Sequence, residues 1–254
     1  MRIDLTVSRA LGCALVTLAF VGTLLTAPVV ASAEPSPVYR AGPGYGQPVQ
    51  GSCHTLTMRQ SLSYFAPRAS VDCDRRHTSK TLVSKRLSGK VDWSGPTWTH
   101  VYQPCANQLH RALGGERVRA LSAYELTFFI PTKRERAKGA KWKRCDVVLV
   151  GGRSLQPLPD TLRLSAPLPD KYARCLGGRR LLLTVCSKAH TYRATGAFRA
   201  AGTTYPGEKR LTQMAANRCP RLVSSRTWRY SIPYHVDIWR VGFRSIVCYS
   251  KTRS

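Results

Sequence analysis

The chain has 254 residues, with 40 Lys and Arg against 13 Asp and Glu and a formal charge of +27. With 43% hydrophobic and 21% charged residues it is neither collagenous nor disordered throughout, and its length fits one or two domains. Nine cysteines are many for a cytosolic protein of this size.

The N-terminus carries Arg2 and Arg9, then no charge from Ala10 to Ala33, and ends on Ala31-Ser32-Ala33. A basic start, an apolar run and small residues at alternate positions predict a secretory signal peptide over 1–33, cleaved after Ala33. The uncharged run is also long enough to span a bilayer, so an uncleaved membrane anchor is the rival reading. Cleavage removes Arg2, Arg9 and Asp4, which lowers the net charge by only one, and Cys13, which leaves an even number of cysteines. An exported chain with an even number of cysteines reads as a disulfide framework.

Residues 34–50, rich in Pro and Gly, predict a flexible tether. Residues 51–150 and 171–254 are each of domain size, and the Pro-rich segment 151–170 reads as a linker. The two halves share a pattern. Cys73, His77, Thr78, Arg86 and Gly89 recur, all at one constant offset, as Cys186, His190, Thr191, Arg199 and Gly202. Ile130-Pro131 corresponds to Ile232-Pro233, and each half holds four cysteines in the same order. This reads as duplication of a four-cysteine unit.

Within a unit, LTFFI before Pro131 and WRYSI before Pro233 read as strands stopped by proline. CDVVLV from Cys145, RSIVCYS from Arg244 and LLLTVC ending at Cys186 read as strands, with SVDC at Cys73 a weaker match. CANQLHRALGG from Cys105 has helical spacing and a Gly-Gly stop, and KRLTQMAANRC ending at Cys219 is similar. The expectation is α+β: two tandem small disulfide-stabilised domains, each a short sheet with one helix. Eight cysteines allow 105 pairings, and confinement to two copies leaves nine. Pairing first with second and third with fourth is preferred: Cys53–Cys73, Cys105–Cys145, Cys175–Cys186 and Cys219–Cys248. The first pair would close a hairpin, and the second would tie the helix to the terminal strand.

The pattern resembles the septum-formation domain of exported proteins from high-GC Gram-positive bacteria. It rests on Gly51-Ser52-Cys53, Val71-Asp72-Cys73, His77-Thr78, Cys105, and the closing Pro233, Trp239, Gly242, Arg244 and Cys248. In the first half the closing region has Pro131, Arg136, Gly139, Lys141 and Cys145, with Arg136 where tryptophan is usual and Trp142 nearby. The resemblance covers nearly all of 51–250, twice over, and implies a cell-envelope protein connected with septum formation. It carries over no catalytic residues.

The repeated Cys-x3-His could supply zinc ligands, but oxidised sulfurs are unavailable to a metal or as nucleophiles, so no metal or cofactor is expected. A wall-sugar hydrolase needs two facing carboxylates, and none of the twelve in the mature chain recurs in both halves. No G-x-S-x-G, H-E-x-x-H or P-loop is present, and no catalytic residue is assigned. Charge is the stronger signal. Lys133, Arg134, Arg136, Lys138, Lys141, Lys143 and Arg144 crowd twelve positions with one acid and Trp142. A solvated loop would carry the same charge. The functional reading is an anion-binding site with Trp142 placed for stacking. In an exported protein the partner is an anionic wall polymer, an anionic lipid or an acidic envelope protein, with peripheral membrane contact, and not nucleic acid. The leading expectation is a secreted or envelope-attached binding protein without enzymatic activity. An enzyme acting on wall polymer and a cationic membrane-active effector are the alternatives.

Overall fold

The structure, a computed structural model, describes residues 42–65, 69–93 and 98–252, with backbone alone over 98–102. The expected signal peptide, the anchor alternative and the first part of the tether lie outside the described residues. No helix among the described residues is long and apolar enough to cross a membrane.

The fold is mixed α+β, with two five-stranded antiparallel sheets. The first runs β1 (Cys53–His54), β2 (Ser79–Arg86), β4 (Trp142–Gly151), β3 (Tyr124–Phe129), and β5 (Ser154–Gln156) also pairs with β4. The second runs β7 (Leu182–Val185), β6 (Arg174–Gly177), β8 (Tyr192–Arg199), β10 (Ser245–Lys251), β9 (Trp228–Ser231). Among the described residues six α-helices accompany them: α1 (Met58–Ser61), α2 (Trp98–Leu113), α3 (Glu116–Leu121), α4 (Lys133–Ala137), α5 (Glu208–Arg218) and α6 (Val236–Val241).

Alternation along β4 sends Cys145, Val147 and Leu149 to one face of the first sheet. There they join Cys105, Leu109 and Leu113, a stripe at four-residue spacing on α2, in one buried cluster. In the second sheet Ile246 and Cys248 join Leu211, Ala215 and Cys219 around α5.

Strand registers in the two sheets coincide position by position. Cys145 lies opposite Val83 and Cys248 opposite Gly196, and Val83 and Gly196 are separated by the same offset as the repeated motif. Each pairing has a one-residue bulge just before that point, at Leu82 in β2 and at Thr195 in β8, the same offset again. Cys145 also faces Phe128, as Cys248 faces Tyr230. Cys53 pairs with Lys80 and Cys175 with Arg193. Four disulfides join Cys53–Cys73, Cys105–Cys145, Cys175–Cys186 and Cys219–Cys248, first with second and third with fourth in each half. The segment before Cys73 is not a strand; Val71 makes a single bridge to Cys53.

The two halves share packing. The described residues of both halves fall in one compact unit. The largest buried cluster takes Leu82, Leu109 and Val147 from the first half together with Val185, Val241 and Phe243 from the second. Glu125 accepts from Arg119 Nη2 at 2.8 Å and also from Arg174, which donates through Nε to Ser122 O at 2.8 Å. Burial would raise Glu125, but Arg119 and Arg174 outweigh it and hold its carboxyl below the usual 4.5. Two units fused across a common core bury a larger fraction of their surface than either would alone.

The segments expected as linker and tether also make contacts. The segment 151–170 is a packed strap: β5 pairs with β4, and Leu158, Leu162 and Leu168 are buried. From Gly42 onward the expected tether is also packed. Lys141 N donates to Pro43 O, Trp142 Nε1 to Tyr45 O at 3.0 Å, and Ser84 Oγ to Pro48 O.

Candidate functional site

The cationic run divides into an exposed turn and a buried strand. Thr132 caps α4 by accepting from Glu135 N, and the Glu135 carboxylate accepts from Thr132 N and Oγ1, closing a capping box. That draws the one acid of the run into the fold, where it is buried. Lys133, Arg134 and Lys138 face solvent, and Arg136 and Lys141 are half-buried. Lys138 Nζ bonds Tyr45 Oη at 3.0 Å, Lys141 Nζ bonds Gly89 O at 3.2 Å, and the Arg136 guanidinium lies 5.3 Å from the Trp93 ring centroid. Among the described residues, no hydrogen bond or ion pair engages the side chain of Lys133 or Arg134.

Trp142, Lys143 and Arg144 are buried, because β4 lies between β2 and β3. Trp142 packs with Leu56, Phe129 and Ala140, so the expected stacking ring belongs to the core. Lys143, opposite Lys85, is pushed down to about 8 by burial and then by that lysine. Arg144 is wholly buried and pairs with Asp146, its Nε 2.6 Å from Oδ1. Of the residues expected to bind an anion, those left at the surface are therefore on the α4 turn.

Asp146 is the centre of a buried polar network that sequence reading did not find. Thr81 Oγ1 donates to Oδ1 at 2.9 Å, and Ser79 Oγ donates to Oδ2. His54 Nε2 lies 3.3 Å from Thr81 Oγ1 and 2.9 Å from Ser52 Oγ. Its Nδ1 lies 2.8 Å from Ala69 O, which can only accept, so Nδ1 carries the proton. Burial, then Arg144, lowers the imidazole below its usual 6.5, so it is neutral at pH 7 and Nε2 is an acceptor. With the Thr81 proton committed to Asp146, the Ser52 hydroxyl, which lies 2.9 Å from Nε2 and 2.7 Å from Val49 O, is the donor within reach of Nε2. The network thus ties β1 to β2 and β4. At the corresponding registers the second sheet has Leu176, Tyr192, Ala194, Val247 and Tyr249, which pack against Ala120 of α3. The signal for the network was weak in sequence, because its members come from β1, β2 and β4, which lie far apart along the chain.

The repeated motif serves turns and strand ends. His77 Nδ1 lies 2.8 Å from Arg75 O and His190 Nδ1 lies 2.7 Å from Lys188 O, the same clip two residues back. Thr78 N donates to His54 O, and Thr191 N to Leu176 O. Gly89 and Gly202 have φ of 70° and 99°, where a side chain is strained. The arginines differ: Arg86 Nε bonds Gln47 Oε1, and Arg199 pairs with Glu116. Cys175, Cys186 and His190 lie close enough to suggest a metal set, but both sulfurs are spent in one disulfide.

A family model described as septum formation matches residues 50–248, spanning both halves. No curated protein and no solved structure matches the chain.

Proposed function

The chain belongs to the septum-formation family, and on that premise we propose that it is an exported, non-enzymatic protein of the cell envelope that binds an anionic envelope component at the division septum. The observation that carries the reading is the α4 turn. Its Lys133, Arg134 and Lys138 are exposed while its acid, Glu135, is folded inward. That leaves a local positive field on a chain already at +27. Export is supported by the four disulfides, which persist in oxidising compartments, and by the Ala31-Ser32-Ala33 signal. Intact mass of the exported protein should place its N-terminus at Glu34. The coinciding registers, bulges and disulfides support descent from a duplicated four-cysteine unit, the first copy having kept the α4 charge.

The test is a triple reversal, Lys133→Glu, Arg134→Glu and Lys138→Glu, against a control at Lys209, Arg221 and Arg226, all exposed in the second half. Binding to purified anionic wall polymer should fall for the first set alone and weaken as salt rises. Equal losses would mean that total charge, not this turn, is what binds. A cleavage product from wall polymer would overturn the non-enzymatic reading.

A further inference from the structure

We propose that the loop following α1 is a membrane-surface contact, with Leu62, Tyr64 and Phe65 entering the headgroup boundary of an anionic bilayer while Lys133 and Arg134 beside them meet lipid phosphates.

The first support is exposure without looseness. Leu62, Tyr64 and Phe65 are 77%, 55% and 43% exposed, three large apolar side chains within four positions. Their backbone is nevertheless fixed. Thr57 and Gln60 close a reciprocal cap at the start of α1. Ser61 O accepts from Thr127 Oγ1, Tyr64 O accepts from Ile130 N at 3.0 Å, and Phe65 N donates to Ser63 Oγ at 3.1 Å. A held backbone that presents apolar side chains to water is an interaction surface.

The second support is what stands beside it. The Tyr64–Ile130 hydrogen bond brings the loop to the end of β3, and three residues past Ile130 the chain reaches Lys133 and Arg134 at the start of α4. Arg59 of α1 is exposed as well. Apolar and basic groups therefore share one locally rigid assembly. Neither class alone would give stable anchoring, but an apolar insertion combined with a basic patch does. Each basic side chain near an anionic surface is worth about fivefold in partitioning. Tyrosine suits the headgroup level, where one end of the ring is wet. A stable protein partner needs about 800 Å² per side, more than three side chains supply, whereas a bilayer accepts a small tip.

The inference rests on the reading of α4 as an anion contact and names the surface that it meets. It is tested with the full exported protein by co-sedimentation with vesicles of two parts phosphatidylcholine to one part phosphatidylglycerol, with pure phosphatidylcholine vesicles and with purified wall polymer, across a salt series. Two variants are compared, Leu62→Ser/Phe65→Ser and Lys133→Glu/Arg134→Glu, after unchanged melting is verified for each. The expectation is binding to the anionic vesicles that falls at least tenfold in either variant. A Phe65→Trp variant should also lose fluorescence to bromine-labelled lipid. Wild-type vesicle binding by Leu62→Ser/Phe65→Ser, or binding to wall polymer but not to vesicles, would overturn the inference while leaving the α4 reading intact. Failure to bind any anionic surface at low salt would overturn both.

Discussion

Arg144 and Asp146 lie two residues apart on β4, point to the same face, and close an ion pair with both side chains fully buried. The pair is held because Ser79 and Thr81 occupy the remaining carboxylate positions. Breaking such a pair leaves an uncompensated charge in the interior. Asp146→Ala should therefore cost about 3–5 kcal/mol, whereas Arg134→Ala on the exposed turn should cost under about 0.5 kcal/mol. Urea unfolding at pH 7 compares them. A loss below about 1 kcal/mol for Asp146→Ala would mean that the network contributes little.

The histidine in that network sets a pH dependence. His54 is lowered below 6.5 by burial and Arg144, and His110 by burial and the nearby Arg119 and Arg199. An imidazole lowered in the folded state is protonated first in the unfolded chain. Stability is then full above 6.5 and falls as pH drops below it, down to the folded-state values. Glu125 acts lower down: its contribution is present above 4.5 and is lost as pH falls through its depressed value. Melting temperature should fall between pH 7.5 and 5. His54→Asn, whose amide can still donate to Ala69 O, should fall less. An equal fall in both proteins would remove His54 from the account.

The strands beside proline, the VVLV run and both cysteine-bearing helices were legible because apolar periodicity and punctuation agree there. The central strands β2 and β8 were not. Beside Leu82 and Tyr192, their buried positions are filled by Ser79, Thr81 and Gly196, none of which reads as strand core. Glycine at 196 is required by space: a Cβ there would lie 2.6 Å from Leu222 Cβ. These two strands fall in the block that recurs from Cys73 to Cys186, so the repeat marked the place without naming the element. In the cationic run, Thr132-x-x-Glu135 was a helix-start signal hidden by the charge around it. Burial of Lys143 and Arg144 depends on strand order, which composition does not encode.

The disulfides give a prediction graded by loop length. The bridges separate 20, 40, 11 and 29 residues in chain order. In the chain-entropy picture the longest loop, Cys105–Cys145, contributes about 4 kcal/mol and the shortest, Cys175–Cys186, about 3 kcal/mol. Replacing Cys105 and Cys145 by alanine should thus destabilise more than replacing Cys175 and Cys186. The gap should widen further because Cys105 and Cys145 sit in the shared core. Peptide mapping without reduction should recover the four pairs. A bridge between the halves would contradict both the pairing and its repetition.

The shared core makes the sharpest prediction about organisation. If 51–150 and 171–254 were independent domains, each would fold when expressed alone with its two disulfides. The structure argues otherwise. In a 171–254 fragment Val185, Val241 and Phe243 would lose the first-half side of their buried cluster, and Arg174 would be left without Glu125. Arg119 stacks on Phe243 at 4.0 Å from the other side, so the first half loses a partner as well. Exposing three large apolar side chains forfeits roughly 1.5–3 kcal/mol each, and the Arg174–Glu125 ion pair is lost with them. Against a typical stability of about 5–15 kcal/mol, neither half should remain folded. Each fragment should give collapsed amide dispersion by NMR, and mixing the two oxidised fragments should restore dispersed signals if the interface is sufficient to drive association. Dispersed spectra from the 171–254 fragment alone would show that the second sheet, with α5 and its two disulfides, encloses a core of its own, and that the contacts across the halves came after folding rather than permitting it.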